Sequence, residues 1–153
     1  MLAGCVLALV TVLHSQKLPA APTPNMSSAQ SDYVEHCGGC HGIQGTSFPA
    51  KVPPLRDKVG WFLCTPEGRD YLLRLPNVAL SSTDDEQLAA IMNFVVFRLG
   101  GESSAAMRGA FTPEEVAQER QRPLSSASLI AVRAKLVRDI ERKCHVPKEA
   151  LRF

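Results

Sequence analysis

The sequence predicts an all-α fold. Helix-start signals recur along it at Thr65-Pro66-Glu67, Thr83-Asp84-Asp85-Glu86 and Thr112-Pro113-Glu114, each placing a capping hydroxyl ahead of an acidic first turn. Apolar residues then return at helical spacing, in Leu88, Ile91, Val95 and Leu99 and again in Leu129, Val132, Leu136 and Ile140. No alternating strand–helix pattern is present.

Taken in order, Leu2 to Leu13 is an apolar run without a charged side chain, too short to span a bilayer comfortably, and small residues at Ala20-Ala21 follow it. Residues 1–20 read as a secretory signal, cleaved after Ala20 or Ala29, with an uncleaved anchor as the alternative. Residues 21–30 are rich in Pro, Ala and Ser and read as a linker. A core follows over residues 31–101. It opens with one or two helical turns around Tyr33 and Val34, with Asp32 and Glu35 at capping-box spacing. Val59 to Leu63 forms a short apolar turn. A helix from Thr65-Pro66 runs to about Leu75, with Tyr71, Leu72 and Leu75 inward. The strongest helix begins at Thr83 to Glu86 and ends at Gly100-Gly101; Phe94 and Phe97 on it read as core packing. Residues 102–153 form a helical extension. A short helix starts at Thr112, Pro123 breaks it, and Ser125 or Ser126 caps a long amphipathic helix. Its apolar stripe needs a surface, the core first and a partner protein second.

One stretch carries chemistry: Cys37-Gly38-Gly39-Cys40-His41. Two thiols three residues apart can each add to one of two neighbouring haem vinyl groups, and the next histidine then reaches the iron as its proximal nitrogen ligand. Gly38 and Gly39 let the backbone lie close to a flat ring. A zinc site would need a second ligand pair from Cys64, Cys144 and His145. A thioredoxin-like dithiol would need strands, and a disulfide between Cys37 and Cys40 would be strained.

Tyr33, four residues before Cys37, together with Gly42-Ile43-Gln44-Gly45-Thr46 and Pro53-Pro54-Leu55 after His41, completes a pattern that resembles the class I, monohaem cytochrome c family over about residues 29–100. The resemblance implies an all-α helical fold around one covalent haem c, with the C-terminal helix of the core crossing the N-terminal one and Phe94 at the crossing. It implies that the Pro53 carbonyl meets the free nitrogen of His41. It also implies one-electron transfer with a redox protein partner, such as a periplasmic dehydrogenase or a respiratory complex.

The chain departs from the family at the sixth iron ligand. Where a Met-Pro step is expected it reads Arg74-Leu75-Pro76-Asn77, and leucine cannot coordinate iron. Met107 is the first substitute, in a loop of small residues; Met92, His145 or no protein ligand are the others. A methionine suits electron transfer, whereas an open position would bind a small ligand, as in a sensor or a peroxidase. Trp61, Arg56, Arg69 and Arg74 are candidates to hold the haem propionates. Cys64 and Cys144 form a disulfide or stay as two free thiols.

The rest excludes more than it assigns. The chain has 153 residues, is 45% hydrophobic and carries a formal charge of +2 with mixed signs; it has one domain's worth of core and no nucleic-acid footprint. No catalytic triad is visible. The chain reads as an exported, periplasmic electron carrier and not an enzyme. A subunit permanently docked to a dehydrogenase is a further alternative.

Overall fold

The computed structural model of the chain describes residues 27–104, 109–147 and 149–152. The fold is all-α, and no strand occurs among the described residues. Among the described residues seven α-helices follow one another: α1 Ser28–His36, α2 Gly38–His41, α3 Pro66–Arg74, α4 Pro76–Ala79, α5 Asp85–Phe94, α6 Pro113–Arg120 and α7 Leu129–Lys143. Tight 3₁₀ turns at Val59–Cys64 and Gly101–Ser104 and a widened π turn at Val95–Leu99 complete the set. No helix among the described residues is long and apolar enough to cross a membrane.

Local capping sets most of the helix starts. Thr65 and Thr112 each precede a proline at the first helical position, and their hydroxyls accept from the N–H of Gly68 at 3.0 Å and of Glu115 at 3.2 Å. At α5 the cap is Asp84, which accepts from Gln87 N–H at 2.7 Å; Thr83 is buried and its hydroxyl pairs with that of Ser81 instead. Two expectations need correction. α1 begins at Ser28, inside the stretch read as linker, because the Ser27 hydroxyl takes the Gln30 N–H at 3.2 Å; Asp32 therefore lies within the helix and does not cap it. α7 is capped by Ser128, through Ala131 N–H at 3.2 Å. The Ser126 hydroxyl is occupied one turn earlier, accepting from Ser128 N–H at 3.2 Å.

The helices share one core. α1 packs across α5, where the fully buried Tyr33 sits with its ring 5.4 Å from that of Phe94, tilted by 43°. Phe97, by contrast, is 38% exposed. It falls in the π turn, whose extra residue rotates the side chains off the inward stripe. The turn is held from outside, since the Ser104 hydroxyl donates to the Val96 carbonyl and Asp57 N–H donates to Leu99 O at 2.9 Å. The extension lies on this core. α6 packs on α5 and α3, and α7 packs on α3 and the 3₁₀ turn Val59–Cys64. Val137 and Ile140 are buried there, and Val132 and Leu136 are half-buried against the same cluster. A Cys64–Cys144 disulfide, with Cα atoms 6.5 Å apart, joins that 3₁₀ turn to the end of α7.

Candidate haem site

α1 ends at His36 with Cys37 as its C-cap, and the chain turns at once into the single turn of α2. Cys40 N–H and His41 N–H both donate to the Cys37 carbonyl, at 3.2 and 3.0 Å. That turn sets Cys37, Cys40 and His41 at positions i, i+3 and i+4, on one side of the backbone. The two thiols are free and not bonded to each other. Burial, and then the neighbouring Cys40, pushes the Cys37 thiol up from its ordinary value. α2 packs mainly on α1; a Cβ placed on Gly39 would meet nothing within 4 Å. Beside it Ile43 and Phe48 are 62% and 85% exposed, apolar surface that the described residues leave uncovered.

The histidine is held by its inner nitrogen. His41 Nδ1 lies 3.1 Å from Ser47 Oγ, and the Ser47 hydroxyl donates to the Pro53 carbonyl at 3.1 Å. With the hydroxyl proton directed at the carbonyl, the serine oxygen can only accept, so Nδ1 carries the proton and Nε2 keeps its lone pair for a metal. Burial lowers the His41 pKa; the Pro53 carbonyl, facing the same ring, raises it by less. The imidazole is thereby kept in the neutral form that binds iron. Pro53 was expected to face His41; Ser47, hydrogen-bonded to both, was not anticipated.

The loop after His41 is stitched down on both flanks. The Tyr33 hydroxyl donates to Gly42 O at 2.7 Å, and burial pushes its pKa up to about 12. Gly45 O accepts from Leu55 and Arg56 N–H at 2.8 and 3.0 Å. Gly45 itself has a φ of 73°, and a Cβ there would stand 3.1 Å from Leu99 Cδ1, so any side chain there would be strained and crowded. Arg56 Nε donates to Gln44 O at 2.7 Å, which leaves the outer nitrogens of its fork beside the loop. Trp61 is half-buried in the 3₁₀ turn.

Two of the arginines named as propionate candidates are committed elsewhere. Arg69 grips both carboxylate oxygens of Glu115, donates to Gly109 O at 2.8 Å and Ala110 O at 3.0 Å, and stacks over the Phe111 ring at 4.0 Å. Arg74 donates to Arg122 O at 2.7 Å. Both tie the extension to α3.

Among the sixth-ligand candidates, Met107 lies outside the described residues. Met92 is 5% exposed within the core cluster on α5, and His145 is exposed near the C-terminus. The segment between α3 and α5, residues 75–84, holds no Met, His, Cys or Lys. Instead a residue that the sequence did not single out fixes it: Arg120 on α6. Its guanidinium donates to Ala79 O at 3.0 Å, Ser81 O at 2.7 Å and Thr83 O at 2.8 Å, and pairs with Asp85 Oδ1 at 2.9 Å.

The competing readings of the motif lose their parts. Cys64 and Cys144 are joined to each other and cannot serve as zinc thiolates, and among the described residues no group of three or more His, Cys, Asp or Glu could hold a metal. A dithiol fold finds no strands among the described residues. Two unpaired thiols, an oriented neutral imidazole and an uncovered face fit a covalent haem.

Comparison with known proteins agrees. No protein-family model matches the chain, and no solved structure matches it. A cytochrome c-552 of Thermus thermophilus is 29% identical over 132 residues, covering 72% of this chain and 89% of the relative. A second cytochrome c-552 from Thermus thermophilus is 30% identical over 118 residues, covering 65% of this chain and 90% of the relative. A likeness that runs through nine-tenths of the relative, in a chain carrying the thiol pair and the oriented imidazole, is one of descent: the chain belongs to the cytochrome c family.

Proposed function

We propose that this c-type cytochrome is an exported, class I-like, monohaem carrier of single electrons between a dehydrogenase or respiratory complex and a second redox protein. Cys37 and Cys40 hold the haem covalently and His41 Nε2 is the proximal ligand. The observation that carries this is the hydrogen-bonded set of His41, Ser47 and Pro53, which engages Nδ1 and leaves Nε2 for the iron. A bound haem supplies the one-electron couple. The chain's own residues orient the imidazole, keep it neutral and, through Arg56 and Trp61, offer donors to the haem's carboxylates. The apolar stripe of α7 packs on the chain's own core through Val132, Leu136 and Ile140, which favours a free carrier over a permanently docked subunit. Cleavage after Ala20 retains Ser27 and so the cap of α1, whereas cleavage after Ala29 would remove it.

A second reading rests on the α3–α5 segment. It has no ligating side chain and is pinned by Arg120, which favours a sixth position filled from elsewhere, by Met107 first, or open to a small ligand. One preparation tests both readings. The intact mass of purified holo-protein should equal the chain from Ala21 plus one haem, and the haem stain should survive denaturation. A chain that sheds its haem on denaturation refutes the proposal. A near-infrared sulfur-to-iron band in the oxidised protein assigns a methionine; a high-spin spectrum with rapid CO binding on reduction assigns an open site.

A further inference from the structure

Three residues of the loop after His41 adopt left-handed backbone: Gly42 at φ 71°, Gly45 at φ 73° and Ser47 at φ 60°. Two are glycine, for which that conformation is free of strain. The third bears a side chain, which makes the conformation unfavourable. What serine adds over glycine here is one hydroxyl. That hydroxyl is buried, with Ser47 6% exposed between the exposed Thr46 and Phe48. The backbone aims it, since Ser47 N–H donates to His41 O at 2.9 Å and folds the loop back over the ring.

We propose that Ser47 is a positioning residue for the iron-binding imidazole: its hydroxyl accepts from His41 Nδ1–H while donating to the Pro53 carbonyl, and so sets the tautomer and the electron donation of His41. The inference rests on the reading of His41 as the iron ligand. A hydroxyl that donates is a better acceptor for the next bond, so the Ser47–Pro53 link strengthens the bond to Nδ1–H. An acceptor on Nδ1–H draws the proton outward, makes Nε2 more basic and favours the ferric iron over the ferrous. Without it, Pro53 alone faces the ring. The hydroxyl therefore lowers the reduction potential and slows the escape of the Nδ1 proton.

Ser47→Gly is the informative variant, because glycine keeps the left-handed backbone and removes only the hydroxyl; Ser47→Asn keeps a side-chain acceptor in a residue that tolerates the same backbone. Three quantities are read on the purified holo-protein: the reduction potential, the exchange rate of the His41 Nδ1 proton and the ¹⁵N shifts that report the tautomer. Ser47→Gly should raise the potential and speed proton exchange at least tenfold, with the far-ultraviolet circular dichroism unchanged. Ser47→Asn should return both toward the wild type. A Ser47→Gly protein with unaltered potential and exchange overturns the proposal and leaves Ser47 a loop residue only. Should Ser47→Gly fail to fold, Ser47→Ala, read by the same signals, decides. If the purified wild-type chain carries no covalent haem, the reading of His41 falls, while the tautomer measured in that same material still judges Ser47: an Nδ1–H form lost in Ser47→Gly upholds the hydrogen bond, and an unchanged tautomer removes it.

Discussion

Tyr33 links the helix crossing to the loop that carries His41. Its ring packs against Phe94 and its hydroxyl donates to Gly42 O at 2.7 Å, so one side chain fixes both the packing angle and the height of the loop. Burial pushes its pKa up to about 12, against the ordinary value of 10.0. An unfolded chain thus releases this proton from about pH 10, while the folded one retains it. Tyr33 adds no pH dependence below pH 10, and the stability it contributes is lost as pH rises from about 10 to 12. Denaturant titrations over that range should show the fall, and Tyr33→Phe should flatten it while lowering stability at neutral pH by about 1 kcal/mol through the lost hydrogen bond. Tyr33 was legible in the sequence because its spacing from Cys37 is local. Ser47 was not. A serine in an irregular loop has no period to betray it, and its role depends on a left-handed turn that brings it back to a residue six positions earlier.

At the scale of elements, α6 reaches the segment between α3 and α5 through Arg120. Arg120 satisfies three carbonyls that end α4 or lie in the turn before α5, and pairs with Asp85 in the first turn of α5. Its side chain is 17% exposed, so its removal leaves those carbonyls short of partners in a half-buried place. Arg120→Ala should destabilise the protein by about 2–3 kcal/mol. Arg142→Ala, which breaks a pair whose arginine is 74% exposed, should lie within about 1 kcal/mol of the wild type. Denaturation midpoints measured side by side check both. Helix starts at Thr65 and Thr112 were readable because a cap and a following proline act over one turn of chain. The start of α7 was not, since Ser125, Ser126 and Ser128 are all good caps and only the turn's own hydrogen bonds select among them. Arg120 was hidden for a different reason: its partners are mostly backbone oxygens, which a sequence does not distinguish.

The whole molecule is a helical core closed by its extension, joined by Arg69, Arg74, Arg120 and the Cys64–Cys144 bond. The fold class followed from helical periodicity, but the pairing of two cysteines 80 residues apart needed the packing of α7 to bring them together. In the chain-entropy account a loop of that length stabilises by about 4 kcal/mol. Replacing both cysteines with serine should lower stability by about 3–4 kcal/mol and leave the haem stain of the denatured chain intact; loss of the stain would show that the bond acts on haem attachment as well. The same bond sets the chain a problem of timing during its manufacture. On the proposed attachment, Cys37 and Cys40 must stay reduced to react with a haem, while Cys64 and Cys144 must be oxidised. The first pair closes the shorter loop and emerges from synthesis long before Cys144, so it meets any oxidant first. If the front pair carries the thioethers, those two opposite redox demands are met most simply in succession, with Cys37 and Cys40 kept reduced until they react and the long-range pair closed once α7 has docked.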